Sequence, residues 1–287
     1  MEPYSPTPTH APWVDILAPM TRRFGKPISF ALLAGALSLT TGCSIDGIRG
    51  FGYEAGLSSV NDASLGLWEG AWLAAAVVGL ITLILILWPV VFHRKKNEEF
   101  PKQTQYNVPV EVAYTVIPFI IVAVLFAYTA RAQNEIKEVT PVSSQSETVH
   151  DVTVNAIQWS WQFTYEDAGP GTTVTGTPAS PPTLYMPLGE KVRFKITATD
   201  VVHGFWIPAF MIQIQNIPGV ENQIEFTAQK LGTYPGRCNI LCGRQHSQML
   251  FDVEVVTPSE YRAYLDSLRS AANADESTDA VEEGADA

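Results

Sequence analysis

Two stretches of this chain, Ala71–Phe92 and Val112–Ala130, contain no charged residue. A bilayer's hydrocarbon core takes about 20 apolar helical residues to cross, so each stretch is long enough to span one. Trp68, Trp72 and Trp88 flank or sit near the ends of the first, where interfacial aromatics collect. The residues between the spans are basic: His93-Arg94-Lys95-Lys96, then Lys102. Positive loops stay on the cytoplasmic side, so the spacing predicts a two-helix hairpin over 67–131 with a cytoplasmic loop at 93–107. Both flanking segments then face outward. Charged residues make up 16% of the chain, against about 25% in soluble domains, which agrees with membrane segments. The competing arrangement is a soluble α-domain with two buried helices.

The start of the chain supports the same orientation. Residues 1–43 read as an N-terminal extension followed by a signal peptide. Arg22, Arg23 and Lys26 precede the apolar run Ile28–Leu39, and Thr-Thr-Gly-Cys43 follows. That ending resembles a bacterial lipoprotein cleavage site and makes Cys43 a candidate lipidated N-terminus, although Thr40 stands where Leu is usual. The alternative is an uncleaved anchor helix. The Pro-rich residues 1–19 resemble no targeting element, and Met20 is a second candidate start. Residues 44–66 are expected to be an outer-face linker.

From Val149 the apolar period changes to two. Val152-Thr-Val154-Asn-Ala156, Val192-Arg-Phe194-Lys-Ile196, Ile224-Glu-Phe226 and Phe251-Asp-Val253-Glu-Val255 all alternate. They read as half-buried strands, and the Gly and Pro clusters between them read as turns. Several short strands at this spacing predict a β-sandwich or barrel over 148–262. A short terminal helix is expected over 258–270, with Ser259 as its cap. The net charge is −11, but six acids fall in the last 13 residues with no base among them. Residues 271–287 therefore read as an acidic disordered tail. Within 148–262, ten acids face seven bases, a mild net of −3. No basic cluster points to nucleic acid.

The chemistry concentrates in Cys238-Asn-Ile240-Leu-Cys242-Gly-Arg-Gln-His246-Ser-Gln-Met249. Two thiols, an imidazole and a thioether fall within 12 residues. His203, in an earlier loop, adds a second imidazole. Soft sulfur ligands combined with imidazole select copper, and Met is no zinc ligand of note. A mononuclear blue-copper site needs one Cys, so the second thiolate allows two copper ions to be bridged, each with one terminal His. A Cys238–Cys242 disulfide and a zinc site with both histidines are the alternatives.

At these residues the chain resembles subunit 2 of the haem–copper cytochrome c oxidases, over about 65–262. The resemblance implies a cupredoxin-like domain behind a transmembrane hairpin. It implies a dinuclear copper centre (CuA) bridged by Cys238 and Cys242. His203 and His246 would be terminal ligands, with Met249 and the Ile240 carbonyl as weak ones. It also implies electron flow from cytochrome c towards haem in subunit 1, coupled to oxygen reduction and proton pumping. Subunits 1 and 3 are the implied partners, and haem belongs to partners only. The family usually carries a glutamate where Ile240 stands and an acid where Gln215 stands. A magnesium ion at the border with subunit 1 would therefore need other ligands here.

Three further residues follow from the resemblance. Gln158-Trp159-Ser-Trp161-Gln-Phe163-Thr-Tyr165 is expected to place four aromatics on one strand face. Trp161 and Phe163 suit a core, while Trp159 matches the surface point of electron entry. Asp200 matches an acid near the docking face. Glu111 heads the second span in Glu-x-x-Tyr114-Thr-x-x-Pro118 and matches the mouth of a proton path; its local alternative is a helix-start acid. The donor is cytochrome c or the cytochrome c subunit of a bc complex. No Cys-x-x-Cys-His haem attachment motif is present, so the donor haem lies in a partner. A membrane-anchored copper-binding or chaperone protein is the alternative function. The copper ligands exclude the copper-free quinol oxidase form.

Overall fold

The computed structural model describes residues 49–94, 97–100, 103–141 and 148–283. Cys43, the signal peptide, and Lys95, Lys96 and Lys102 of the basic loop lie outside these. The chain forms two units, Met1–Phe51 and Gly52–Ala287. Of the first, Arg49–Phe51 are described, in a 3₁₀ turn that ends at Gly52.

Helix α1 spans Asn61–Phe92 and α2 spans Val108–Ile136. Both outrun the apolar stretches, because backbone hydrogen bonding continues through Asp62 and Glu69 at one end and through Arg131 and Glu135 at the other. The apolar side chains of both face outward: Leu73, Leu85, Phe119 and Phe126 are 68%, 67%, 76% and 73% exposed. Water does not tolerate apolar faces of this extent, which rules out the soluble α-domain and leaves lipid or partner helices as their surroundings. Asn107 caps α2, its side chain accepting from Val110 N–H at 3.4 Å. Glu111 returns the bond, accepting from Asn107 N–H at 2.9 Å. The helix-start role of Glu111 is thus realised.

Ten strands follow. The first sheet contains β1 (Val149–Ile157), β2 (Ser160–Tyr165), β3 (Thr173–Thr175), β5 (Lys191–Ala198) and β8 (Asn222–Thr227), in the order β3-β2-β1-β5-β8. The second contains β4 (Thr183–Pro187), β6 (His203–Ile207), β7 (Ile212–Asn216), β9 (Gly232–Cys238) and β10 (Leu250–Val256), in the order β4-β10-β9-β6-β7. The predicted alternation holds: Val152, Val154 and Ala156 of β1 and Phe251, Val253 and Val255 of β10 point into the core. Phe205 and Phe251 stack at 4.9 Å with an interplanar angle of 6°, and Trp161 meets Phe251 edge-on at 5.1 Å. Burying each such side chain contributes about 1.5–3 kcal/mol.

Three expectations need correction. Residues 57–60 are not a free linker: Leu57 and Val60 belong to the core cluster of the β-domain. The terminal helix α3 runs Pro258–Glu283, well past 270 and into the stretch expected to be disordered. Ala271, Ala272, Ala274 and Ala280 are strong helix formers, which carries the helix on. Its cap is Thr257, not Ser259. Thr257 Oγ1 accepts from Glu260 N–H at 3.3 Å, and Glu260 accepts from Thr257 N–H at 2.9 Å, a reciprocal box with Pro258 in the first turn.

Candidate metal centre

Two strand ends and one loop build the site. His203 is the first residue of β6 and Cys238 the last of β9. The β9–β10 loop carries Ile240, Cys242, His246 and Met249. Phe205 pairs with Cys238 across β6 and β9, so the ladder sets His203 beside the thiol. Gly204 lets the loop lie close: a Cβ there would collide with Asn239 Oδ1 and stand 3.0 Å from Ile240.

The six expected ligands converge. Cys238 Sγ lies 4.0 Å from His203 Nδ1, 3.2 Å from the Ile240 carbonyl and 3.8 Å from Cys242 Sγ. Cys242 Sγ lies 3.6 Å from His246 Nδ1 and 3.8 Å from Met249 Sδ. Each sulfur therefore has one imidazole and one weak donor of its own. Both thiols are free, and their 3.8 Å separation, well beyond the S–S length of about 2.05 Å in a disulfide, favours the metal reading over the disulfide. Among the described residues, His203, Cys238 and Cys242 are the one His/Cys/Asp/Glu group whose ligand atoms cluster, all within 4.8 Å. His203, Cys238, Cys242 and Met249 are buried, Ile240 and His246 half-buried, and a set of soft sulfur donors with imidazole suits copper. The Met249 thioether, 0% exposed and 3.8 Å from Cys242 Sγ, distinguishes this set from a zinc site.

Electrostatics favour a thiolate at Cys238. Burial opposes its ionisation, but the hydrogen bond to His203 and the backbone of Gly204 and Ile240 outweigh it and lower its pKa. Cys242 is pushed up by burial and by the charge on Cys238. His203 is oriented from behind, with Asp200 Oδ1 2.9 Å from its Nε2. That bond leaves Nδ1 to face the sulfurs, as partners of metal-binding histidines do. The same carboxylate accepts from Val201 N–H and Gln158 N–H, both at 2.6 Å. Asp200 is thus chiefly a support of the site and of the turn beside it.

Trp159 is not on the aromatic strand face. Ile157 pairs with Ser160, so Gln158 and Trp159 form the two-residue turn between β1 and β2. Only Trp161, Phe163 and Tyr165 share the inward face, each 0% exposed. The turn places Trp159 against the metal loop. Its Nε1 donates to the Cys242 carbonyl at 3.2 Å, and Gln158 Nε2 donates to the same oxygen at 2.7 Å. Gly243, at φ +128°, makes room: a Cβ there would stand 3.0 Å from the indole nitrogen. Trp161 backs the site, with its ring 6.5 Å from that of His203 and its N–H donating to Met249 O at 3.5 Å. Sequence reasoning missed Gln158, Gly204 and Gly243. The His-Gly and Cys-Gly pairs were the available signal for the glycines.

Fold and site together define a class: a membrane-anchored β-sandwich that carries a buried sulfur–imidazole metal centre. The family model "Cytochrome C oxidase subunit II, periplasmic domain" matches residues 180–256. A probable cytochrome c oxidase subunit 2 of Streptomyces avermitilis is 34% identical over 87% of this chain and 88% of its own length. The cytochrome c oxidase subunit 2 of Mycobacterium bovis is 32% identical over 84% of this chain and 81% of its own. A crystal structure of the periplasmic domain of subunit II of cytochrome oxidase from Bradyrhizobium japonicum is 26% identical, with a TM-score of 0.38, covering 43% of this chain and 95% of that one. The chain belongs to the cytochrome c oxidase subunit 2 family. It is accordingly a membrane-anchored component of an oxidoreductase complex, with its β-domain outside the bilayer.

Proposed function

We propose that this chain is the electron-entry subunit of its oxidase, holding two copper ions between Cys238 and Cys242. The convergence of four further donors on two free thiols 3.8 Å apart carries this reading. His203 and His246 would serve one ion each, with Met249 as a weak ligand to one and the Ile240 carbonyl to the other. Copper held there would supply one-electron chemistry, by which this subunit would pass electrons from cytochrome c towards the haem of subunit 1. The chain's residues fill the ligand positions themselves, so no substrate has a place there and the site does no bond chemistry. Ligands held by two strand ends and a loop packed against the sandwich would shift little between oxidation states, which would lower the cost of each transfer.

Trp159 is the entry point, because its indole reaches the carbonyl of a bridging cysteine through one hydrogen bond. Asp200 contributes to the donor-facing side mainly by fixing that turn and His203. The donor is a cytochrome c, free or as part of a bc complex, and its docking is only mildly electrostatic given the net of −3 over 148–262. The basic loop lies in the cytoplasm and the β-domain outside the cell membrane. Cys43 is the lipidated N-terminus, and subunits 1 and 3 complete the complex. Glu111, at the cytoplasmic start of α2, is the mouth of a proton path. A magnesium ion at the subunit 1 border finds no carboxylate on this loop, since Ile240 and Gln215 replace the acids. Oxidation of reduced cytochrome c by the purified complex tests the reading. Cys242→Ser should abolish it while subunit assembly is retained; undiminished turnover in that variant would refute the assignment.

A further inference from the structure

Both ends of the membrane hairpin are fastened to one strand. Ahead of α1, residues 57–59 pair with residues 227–229, where β8 ends. Ser59 N–H donates to Thr227 O at 2.9 Å, Gln229 N–H donates to Leu57 O at 2.9 Å, and Thr227 N–H donates to Ser59 Oγ at 3.0 Å. Behind α2, the chain crosses the outer face of the same sheet. Thr140 N–H points at both oxygens of Glu225, 3.3 Å from each, and the Thr140 hydroxyl also donates to Glu225. Arg193 ties the two together, donating to Thr140 O at 2.7 Å and to Glu225 at 3.0 and 3.1 Å. Lys191 adds an ion pair with Glu225 at 3.3 Å.

Glu225 is the one buried carboxylate among the described residues, 5% exposed. An acid on the outer face of a sheet would ordinarily stay hydrated. This one is enclosed by the crossing chain and by its basic neighbours on β5. Buried charge is costly unless fully paired, and a pairing of this kind specifies one arrangement over its alternatives. The other end of β8 leads to the metal site. Asn222 donates to Gln215 O at 2.8 Å, and β7 sets Asn216 opposite His203.

We propose that β8 is the bracket that fixes the metal domain's position over the membrane hairpin, with Glu225 as the positioning residue for onward electron transfer. The inference rests on the oxidase reading above. Its test uses the assembled complex with Glu225→Ala, and with Thr140→Pro, which removes the linker's N–H and hydroxyl bonds but leaves the Arg193–Glu225 pair. Copper content, the copper resonance spectrum and the rate of reduction by cytochrome c should match the unaltered complex. Transfer from copper to haem should slow on the order of tenfold, as small misplacements of reacting groups do. The distance distribution between the copper spin and a spin label at Gln103 should broaden. Glu225→Gln, which keeps the shape and one acceptor oxygen but sets an amide NH2 against donors, should recover only part of the rate. Unchanged transfer and an unchanged distance distribution in Thr140→Pro would overturn the proposal, whatever Glu225→Ala does to folding. Absence of copper-to-haem transfer in the unaltered complex would instead overturn the oxidase reading itself.

Discussion

Single atoms decide how the metal loop closes. Asp200 serves three partners, His203 Nε2 and the N–H groups of Val201 and Gln158, so its removal frees both a ligand and the tryptophan turn. Asp200→Asn should weaken copper retention roughly ten- to hundred-fold, as loss of a ligand's supporting carboxylate does, and competition with a copper chelator measures it. Equal retention in variant and wild type would show that His203 needs no such support. Gly204→Ala should also weaken retention, because its Cβ would displace the Asn239 side chain and press on Ile240 in the metal loop. We expect that variant to fold its sandwich, retaining far-ultraviolet dichroism, but to bind copper in less than full stoichiometry. The candidate ligands that the fold brings together were legible in the sequence, since Cys, His and Met at close spacing announce their chemistry. The residues that shape the loop were not. Gly204, Gly243 and Gln158 act through close approach and backbone contacts, which a linear pattern does not encode.

Elements are held together by polar fasteners as well as by the core. His150 at the start of β1 stands between Asp167, 2.6 Å from Nδ1, and Glu190, 2.8 Å from Nε2. From α3, Tyr261 meets its ring edge-on at 5.1 Å, and Arg262 reaches Glu190 at 3.6 Å. The hydrogen bond with Asp167, helped by Glu190 and against the opposing effect of burial, raises the His150 pKa above its ordinary 6.5. The unfolded chain loses its proton first as pH rises. The stabilisation is therefore fully present below about 6.5 and is lost as pH climbs through the raised folded value. Denaturant unfolding between about pH 6 and about pH 9 should show this decline in wild type. His150→Gln should flatten it, and an identical slope in both would contradict the assignment. Thr257→Ala removes the cap of α3 and should cost about 1 kcal/mol in the same assay. Strands, both spans and the terminal helix were all legible from period and charge. The length of α3 was not, because acidic composition argued for disorder while the alanines argued for helix. Residues 57–60 were also misjudged: one short segment pairing with a strand far along the chain leaves no periodic signature.

For the molecule as a whole, the arrangement joins an apolar hairpin to a rigid sandwich whose candidate metal ligands are supplied by two strand ends and one loop. Nothing in such a chain acts alone. The apolar faces of α1 and α2 are built for lipid and partner helices, and the loop that carries Cys238 and Cys242 is built for metal. The most direct test is copper stoichiometry together with an electron paramagnetic resonance spectrum on the purified full chain. Two coppers per chain, with the unpaired spin shared between both ions, is the predicted result. One copper with a localised signal, zinc in its place, or a Cys238–Cys242 disulfide in a metal-loaded preparation would contradict the account.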